Sequence, residues 1–221
     1  MSCQFALICR FAIILSLVWL LPGLDGLADE VNQKLQSGPR AGEQAIPYHP
    51  LLASGSVAGQ RWCMVCTHRS RGNRMVIVFT RTQDTLVNEL VVAIEGLTKK
   101  HKNLGGIITF LTTTGKTAEE AETLTGKKVV YLNDHENKQW KALREFAMTQ
   151  SITNSSLNIY TTDGPSGYSL SPKAAVTVLV ADSSAKVMAN VALRQEDLTS
   201  GRIKAVIHEI ETALVADRRS D

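Results

Sequence analysis

The chain has 221 residues, with 24 Lys and Arg against 21 Asp and Glu, for a formal charge of +3 at pH 7. Its basic residues are spread along the chain instead of forming a stripe, which excludes the electrostatic footprint of a nucleic-acid binder. The length suits one domain of about 100 to 200 residues with its own core and excludes a second full one.

At the amino terminus, Arg10 precedes an apolar run from Phe11 to Leu21, then Pro22-Gly23 and the small residues Gly26 and Ala28. That is the layout of a secretory signal peptide over residues 1–28. Pro22-Gly23 stops the run short of the ~20 residues that span a bilayer. The expectation is cleavage after Ala28, export to a periplasmic or secreted location, and no stable membrane insertion afterwards; an uncleaved anchor is the alternative. Cleavage removes Cys3 and Cys9 and leaves one close pair, Cys63 and Cys66, in a compartment that permits disulfides.

Residues 29–60 are rich in Gly, Pro, Ser and Ala, as in Ser37-Gly38-Pro39-Arg40-Ala41-Gly42, and read as a linker that becomes an irregular arm. The domain is expected over 61–217, with 218–221 as a tail. His68-Arg69-Ser70-Arg71-Gly72-Asn73-Arg74 reads as a solvated basic turn, with an acidic partner as the alternative. Met75 to Phe79 is a buried strand by composition. Leu86, Leu90, Ala93, Ile94 and Leu97 then form a helical stripe, with Thr82 as N-cap and Asp84 in the first turn.

Gly106 to Leu111 is a second buried strand, joined to the first by a parallel crossover. The stretch 112–139 reads as an insertion, with a short helix over 117–125 and a short strand over 129–132. Trp140, Leu143, Phe146 and Ala147 share one face of the next helix, with Asp134 available as its cap. Leu157 to Thr161 alternates like a half-buried strand, and Gly164-Pro165-Ser166-Gly167 stops it. Ala175 to Val180 and Lys186 to Ala192 are close enough to form an antiparallel hairpin. Ile203, Val206, Ile207, Ile210 and Leu214 form the apolar face of a last helix.

The order β-α-β-α-β-β-α over Arg61 to Ala216 resembles the thioredoxin-like fold. The chain is similar to exported bacterial thioredoxin-like and peroxiredoxin-like proteins with a displaced C-x-x-C. The residues that carry this are Cys63-Met64-Val65-Cys66 ahead of the strand Gly72-Asn73-Arg74-Met75-Val76-Ile77-Val78-Phe79, and Gly167-Tyr168 through Val178 ahead of the hairpin. The resemblance implies a three-layer α/β/α sandwich with a mixed central sheet, protein thiols or disulfides as partners, and no cofactor. It says nothing about oligomeric state.

The chain departs from that pattern twice. Thioredoxins place the redox pair after the first core strand, where this chain has Thr80-Arg81-Thr82-Gln83-Asp84-Thr85-Leu86-Val87 and no cysteine; the peroxidatic cysteine of peroxiredoxins is missing there too. The proline that thioredoxins carry in cis before the hairpin is replaced by Val176, so a trans peptide is expected.

Three readings of Cys63 and Cys66 stand side by side. A local disulfide pins the arm to the first strand, in a catalytically silent binding or scaffolding domain. A thiol-disulfide oxidoreductase uses Cys63 to attack and Cys66 to resolve, with Arg61, His68 and Arg69 stabilising the thiolate and Trp62 beside it. A metal site of Cys63, Cys66 and His68 stands one ligand short of a closed tetrahedron.

Overall fold

The computed structural model describes residues 35–112 and 134–217. The expected signal segment, the helix over 117–125, the strand over 129–132 and the tail lie outside the described residues. The elements are β1 (Leu51–Leu52), α1 (Met64–Ser70), β2 (Arg74–Thr80), α2 (Thr85–Lys100), β3 (Leu104–Thr112), α3 (Asp134–Thr149), β4 (Ser155–Thr161), β5 (Val176–Ala181), β6 (Val187–Leu193) and α4 (Ser200–Asp217).

One six-stranded mixed sheet runs in the order β1-β4-β3-β2-β5-β6. β2, β3 and β4 are parallel, whereas β5 pairs antiparallel to β2, β6 to β5 and β1 to β4. Side chains alternate across the sheet, so each central strand feeds two interiors. Val76 and Val78 face one of them, with Val87, Leu90 and Ile94 of α2, Leu143 of α3 and Val206, Ile210 and Leu214 of α4. Met75, Ile77 and Phe79 face the other, covered by Ala45 and Tyr48 of the arm and by Cys63 and Val65 around the start of α1. Among the described residues, three helices therefore cover one face, and the short α1 shares the opposite face with the arm.

That division changes how the arm is read. Tyr48 is 1% exposed, its hydroxyl pairs with Thr109 Oγ1 at 2.8 Å, and its ring meets Phe79, Tyr160 and Tyr168 at centroid distances of 5.5, 5.7 and 5.5 Å. Burying one such side chain is worth about 1.5–3 kcal/mol, so the arm is a structural cover, with Leu51–Leu52 as an edge strand. Local pattern missed it because isolated anchors such as Tyr48 show no period.

The basic stretch is corrected in part: Arg71-Gly72 is an exposed turn as expected, but the residues before it are helical. His68, Arg69 and Ser70 form the last turn of α1, and His68 is buried at 6% exposure instead of lying in a solvated turn. Asp84, not Thr82, caps α2: Asp84 Oδ1 accepts from Val87 N at 2.9 Å, while Thr82 Oγ1 donates to Asp84 Oδ2 at 3.0 Å. β4 is buried along all seven residues; Asn158 Nδ2 donates to Ile108 O at 3.2 Å and Ser156 Oγ to Gly106 O at 3.3 Å, while Ser155 Oγ, Asn158 Oδ1 and Thr161 Oγ1 have no hydrogen-bond partner among the described residues. The described residues contain no cis peptide, in agreement with the trans bond expected at Val176.

Candidate functional site

The loop after β1 folds back on itself, with Leu52 N donating to Gln60 O at 3.0 Å and Trp62 N to Pro50 O at 3.2 Å. This return delivers Cys63 in an extended conformation to the head of α1. There a sulfur does the work that Ser or Asp usually does at an N-cap: Cys63 Sγ accepts the Cys66 N–H at 3.0 Å. Thr67 secures the same turn, its N and Oγ1 donating to Cys63 O at 3.1 and 3.0 Å, and Trp62 Nε1 donates to Thr67 Oγ1 at 2.9 Å.

Cys63 and Cys66 are joined in a disulfide with their Cα atoms 5.3 Å apart, a separation that a C-x-x-C at a helix start supplies without distortion. Their surroundings differ. Cys63 is 6% exposed and belongs to the interior under the arm, whereas Cys66 is exposed and opens onto a groove lined by Ala45, Pro47, Val65, Arg69 and Ser70.

The three basic residues named from sequence do not converge on the sulfurs. Arg61 is buried, with Nη1 donating to His49 O at 3.5 Å. His68 packs over Gly105, and burial, followed by the Arg71 charge, lowers its pKa to about 4, so it is uncharged at neutral pH. Arg69 alone shares the groove with Cys66. No group of three His, Cys, Asp or Glu able to hold a metal occurs among the described residues.

Where thioredoxins keep their cysteines, at the turn from β2 into α2, this chain builds a polar cap. Thr80 Oγ1 donates to Thr82 O at 2.8 Å, Arg81 N donates to Ala175 O at 2.9 Å, and the Arg81 guanidinium donates to Thr162 O. The disulfide lies on the sheet face opposite α2, since Cys63 and Val65 pack with Met75 and Ile77 while α2 packs with Val76 and Val78.

Solved structures with the same arrangement decide the fold. The chain is similar to the reduced 2-Cys peroxiredoxin of Plasmodium vivax, at 10% identity and TM-score 0.54 over 83% of this chain and 86% of that one. A yeast mitochondrial 1-Cys peroxiredoxin matches at 11% identity and TM-score 0.51 over 81% and 78%. The fold is thioredoxin-like. The mitochondrial 2-Cys peroxiredoxin of Plasmodium falciparum matches this thioredoxin-like chain at 10% identity and TM-score 0.50 over 82% and 98%. No protein-family model and no curated protein matches it.

Sequence reasoning singled out the two cysteines but missed their unequal exposure and the groove. Pro47 and Ala45 reach the groove from the arm, some twenty residues away, and no local period marks them.

Proposed function

We propose that this thioredoxin-like protein exchanges electrons with thiols or disulfides outside the cytoplasm through Cys63 and Cys66. The single observation that carries the reading is the disulfide's asymmetry: Cys66 exposed beside a groove, and Cys63 buried with its sulfur already accepting a backbone N–H. An incoming thiolate attacks along the S–S axis and needs the accessible sulfur. It bonds to Cys66 Sγ, and the S–S electron pair leaves on Cys63 Sγ, where the Cys66 N–H stabilises the thiolate. A second partner thiolate then attacks the partner sulfur of the mixed disulfide and releases Cys66, giving a partner disulfide and a reduced pair that has gained two electrons and two protons.

This reverses the order of roles expected from the sequence: Cys66 carries the mixed disulfide, and Cys63 is the leaving group, which resolves the mixed disulfide only when the exchange runs in the opposite direction. The signal-like segment over residues 1–28 supports an exported setting, and no helix among the described residues is long and apolar enough to cross a membrane. A second reading, a redox-silent domain with a structural disulfide, is favoured by the cysteine-free turn Thr80–Val87.

The test is trapping in a glutathione redox buffer, read by intact mass. In Cys63→Ser the mixed disulfide should accumulate on Cys66, while in Cys66→Ser the buried Cys63 should react far more slowly. If the native disulfide resists reduction in the folded protein and neither variant forms a mixed disulfide, the silent reading holds instead.

A further inference from the structure

Resting on the exchange reading of Cys66, the geometry points to a site for a small carboxylate-bearing thiol of peptidic character in the groove beside that sulfur. The groove encloses ≈ 310 Å³ between the arm and α1, with Ala45, Pro47 and Val65 as its apolar wall and Cys66, Arg69 and Ser70 as its polar side. That volume sits at the small end of ligand clefts, which run from about 300 to 1,000 Å³.

A folded protein partner would need roughly 800 Å² of surface on each side, usually with an apolar centre. Among the described residues the exposed large apolar side chains are Trp62, Val92, Met148 and Val215. Of these only Trp62 belongs to the segment around the disulfide, so the surface suits a compact ligand better than a broad interface.

Charge sets the ligand's chemistry. Among the described residues, no carboxylate lines the groove and Arg69 takes part in no ion pair. Its guanidinium is available for the fork-like pairing that carboxylates make with arginine. Ser70 Oγ donates to Thr67 O at 3.0 Å, which leaves its lone pairs to accept an amide N–H from the ligand. A thiol held by these two groups, with its aliphatic part on the exposed Pro47, stands next to Cys66.

The step is balanced. The ligand thiolate bonds to Cys66 Sγ as the S–S bond breaks and Cys63 leaves as thiolate. A second ligand thiolate then attacks the ligand sulfur of the mixed disulfide and releases Cys66. Two ligand thiols are oxidised to one ligand disulfide, and Cys63 and Cys66 are reduced to thiols.

The experiment compares reduction of the folded mature protein by glutathione and by its carboxyl ester, a thiol of the same shape without the negative charges. The wild type should favour the free acid, and Arg69→Gln should lower the ratio of the two rates roughly two- to fivefold, the range of an exposed ion pair. Lys204→Gln, on the helix of the opposite face, should leave the ratio unchanged. Binding is read separately with S-methyl glutathione, which cannot exchange: amide shifts at Val65, Arg69 and Ser70 should saturate in the wild type and weaken in Arg69→Gln.

A rate ratio and binding unaffected by Arg69→Gln overturn the site and leave the exchange reading standing. Faster reaction with a longer cysteine peptide, also independent of Arg69, assigns the groove to a polypeptide and overturns it as well. Binding of the S-methyl compound without any reduction of the disulfide removes the exchange reading instead.

Discussion

The imidazole of His68 fills the space over Gly105: a Cβ on that glycine would stand 2.2 Å from His68 Cε1. This contact seats the end of α1 on β3, so the glycine at the start of β3 is what lets the helix carrying the cysteines lie on the sheet. Gly105→Ala should cost about 1–3 kcal/mol through overpacking, read from the urea midpoint. A midpoint equal to wild type would mean that α1 is held by other contacts.

Acid should weaken the fold through the same histidine. Burial, then the Arg71 charge, lowers the His68 pKa from the ordinary 6.5 to about 4, and Asn73 Nδ2 lies 3.5 Å from its Nδ1. Between those two pKa values the unfolded chain binds a proton that the folded chain does not, so stability rises with pH across that window. The contribution is full above pH 6.5 and is lost as the pH falls towards 4, about 3 kcal/mol in all. His68→Gln should flatten the dependence of unfolding free energy on pH by close to one proton over this range; an unaltered slope would place the titration elsewhere.

Glu95 should prove more costly to neutralise than its exposed partner is to remove. Burial pushes its carboxyl up, but the Thr153, Asn154 and Ser155 N–H groups at 2.9, 3.1 and 2.9 Å, with Lys99 at 3.2 Å, outweigh that and hold it below the usual range. Its stabilisation is present above the ordinary carboxylate pKa and is lost as the pH falls through the lowered one. Glu95→Gln should cost about 2–3 kcal/mol in denaturant unfolding, and Lys99→Ala under ~1 kcal/mol because that ammonium is half exposed.

The two candidate caps of α2 should separate by mutation. Asp84→Ala removes the acceptor of Val87 N and should cost about 1 kcal/mol. Thr82→Ala removes only a donor to that carboxylate and should cost less in the same thermal melts. Equal losses would return the capping role to Thr82.

Unequal burial should also appear in the stability of the cysteine variants. Each serine substitution removes the disulfide, worth ~0–3 kcal/mol for so short a loop. Cys63→Ser in addition puts a hydroxyl into the interior with Met75 and Ile77, a further cost of about 1–3 kcal/mol, so it should unfold at lower urea than Cys66→Ser.

Sequence alone was enough for the order of the core elements, the hairpin and the last helix, because long apolar periods and tight turns are local properties. It also located the missing cysteine at the turn after β2, since an absence can be read directly from the letters. Only the tertiary structure decided that Tyr48 is a core residue, that His68 is buried and uncharged, and that Cys66 rather than Cys63 faces solvent. The reason is physical: burial and charge state are set by segments distant along the chain, here the arm laid across one face of the sheet and the bare backbone of Gly105 beneath α1.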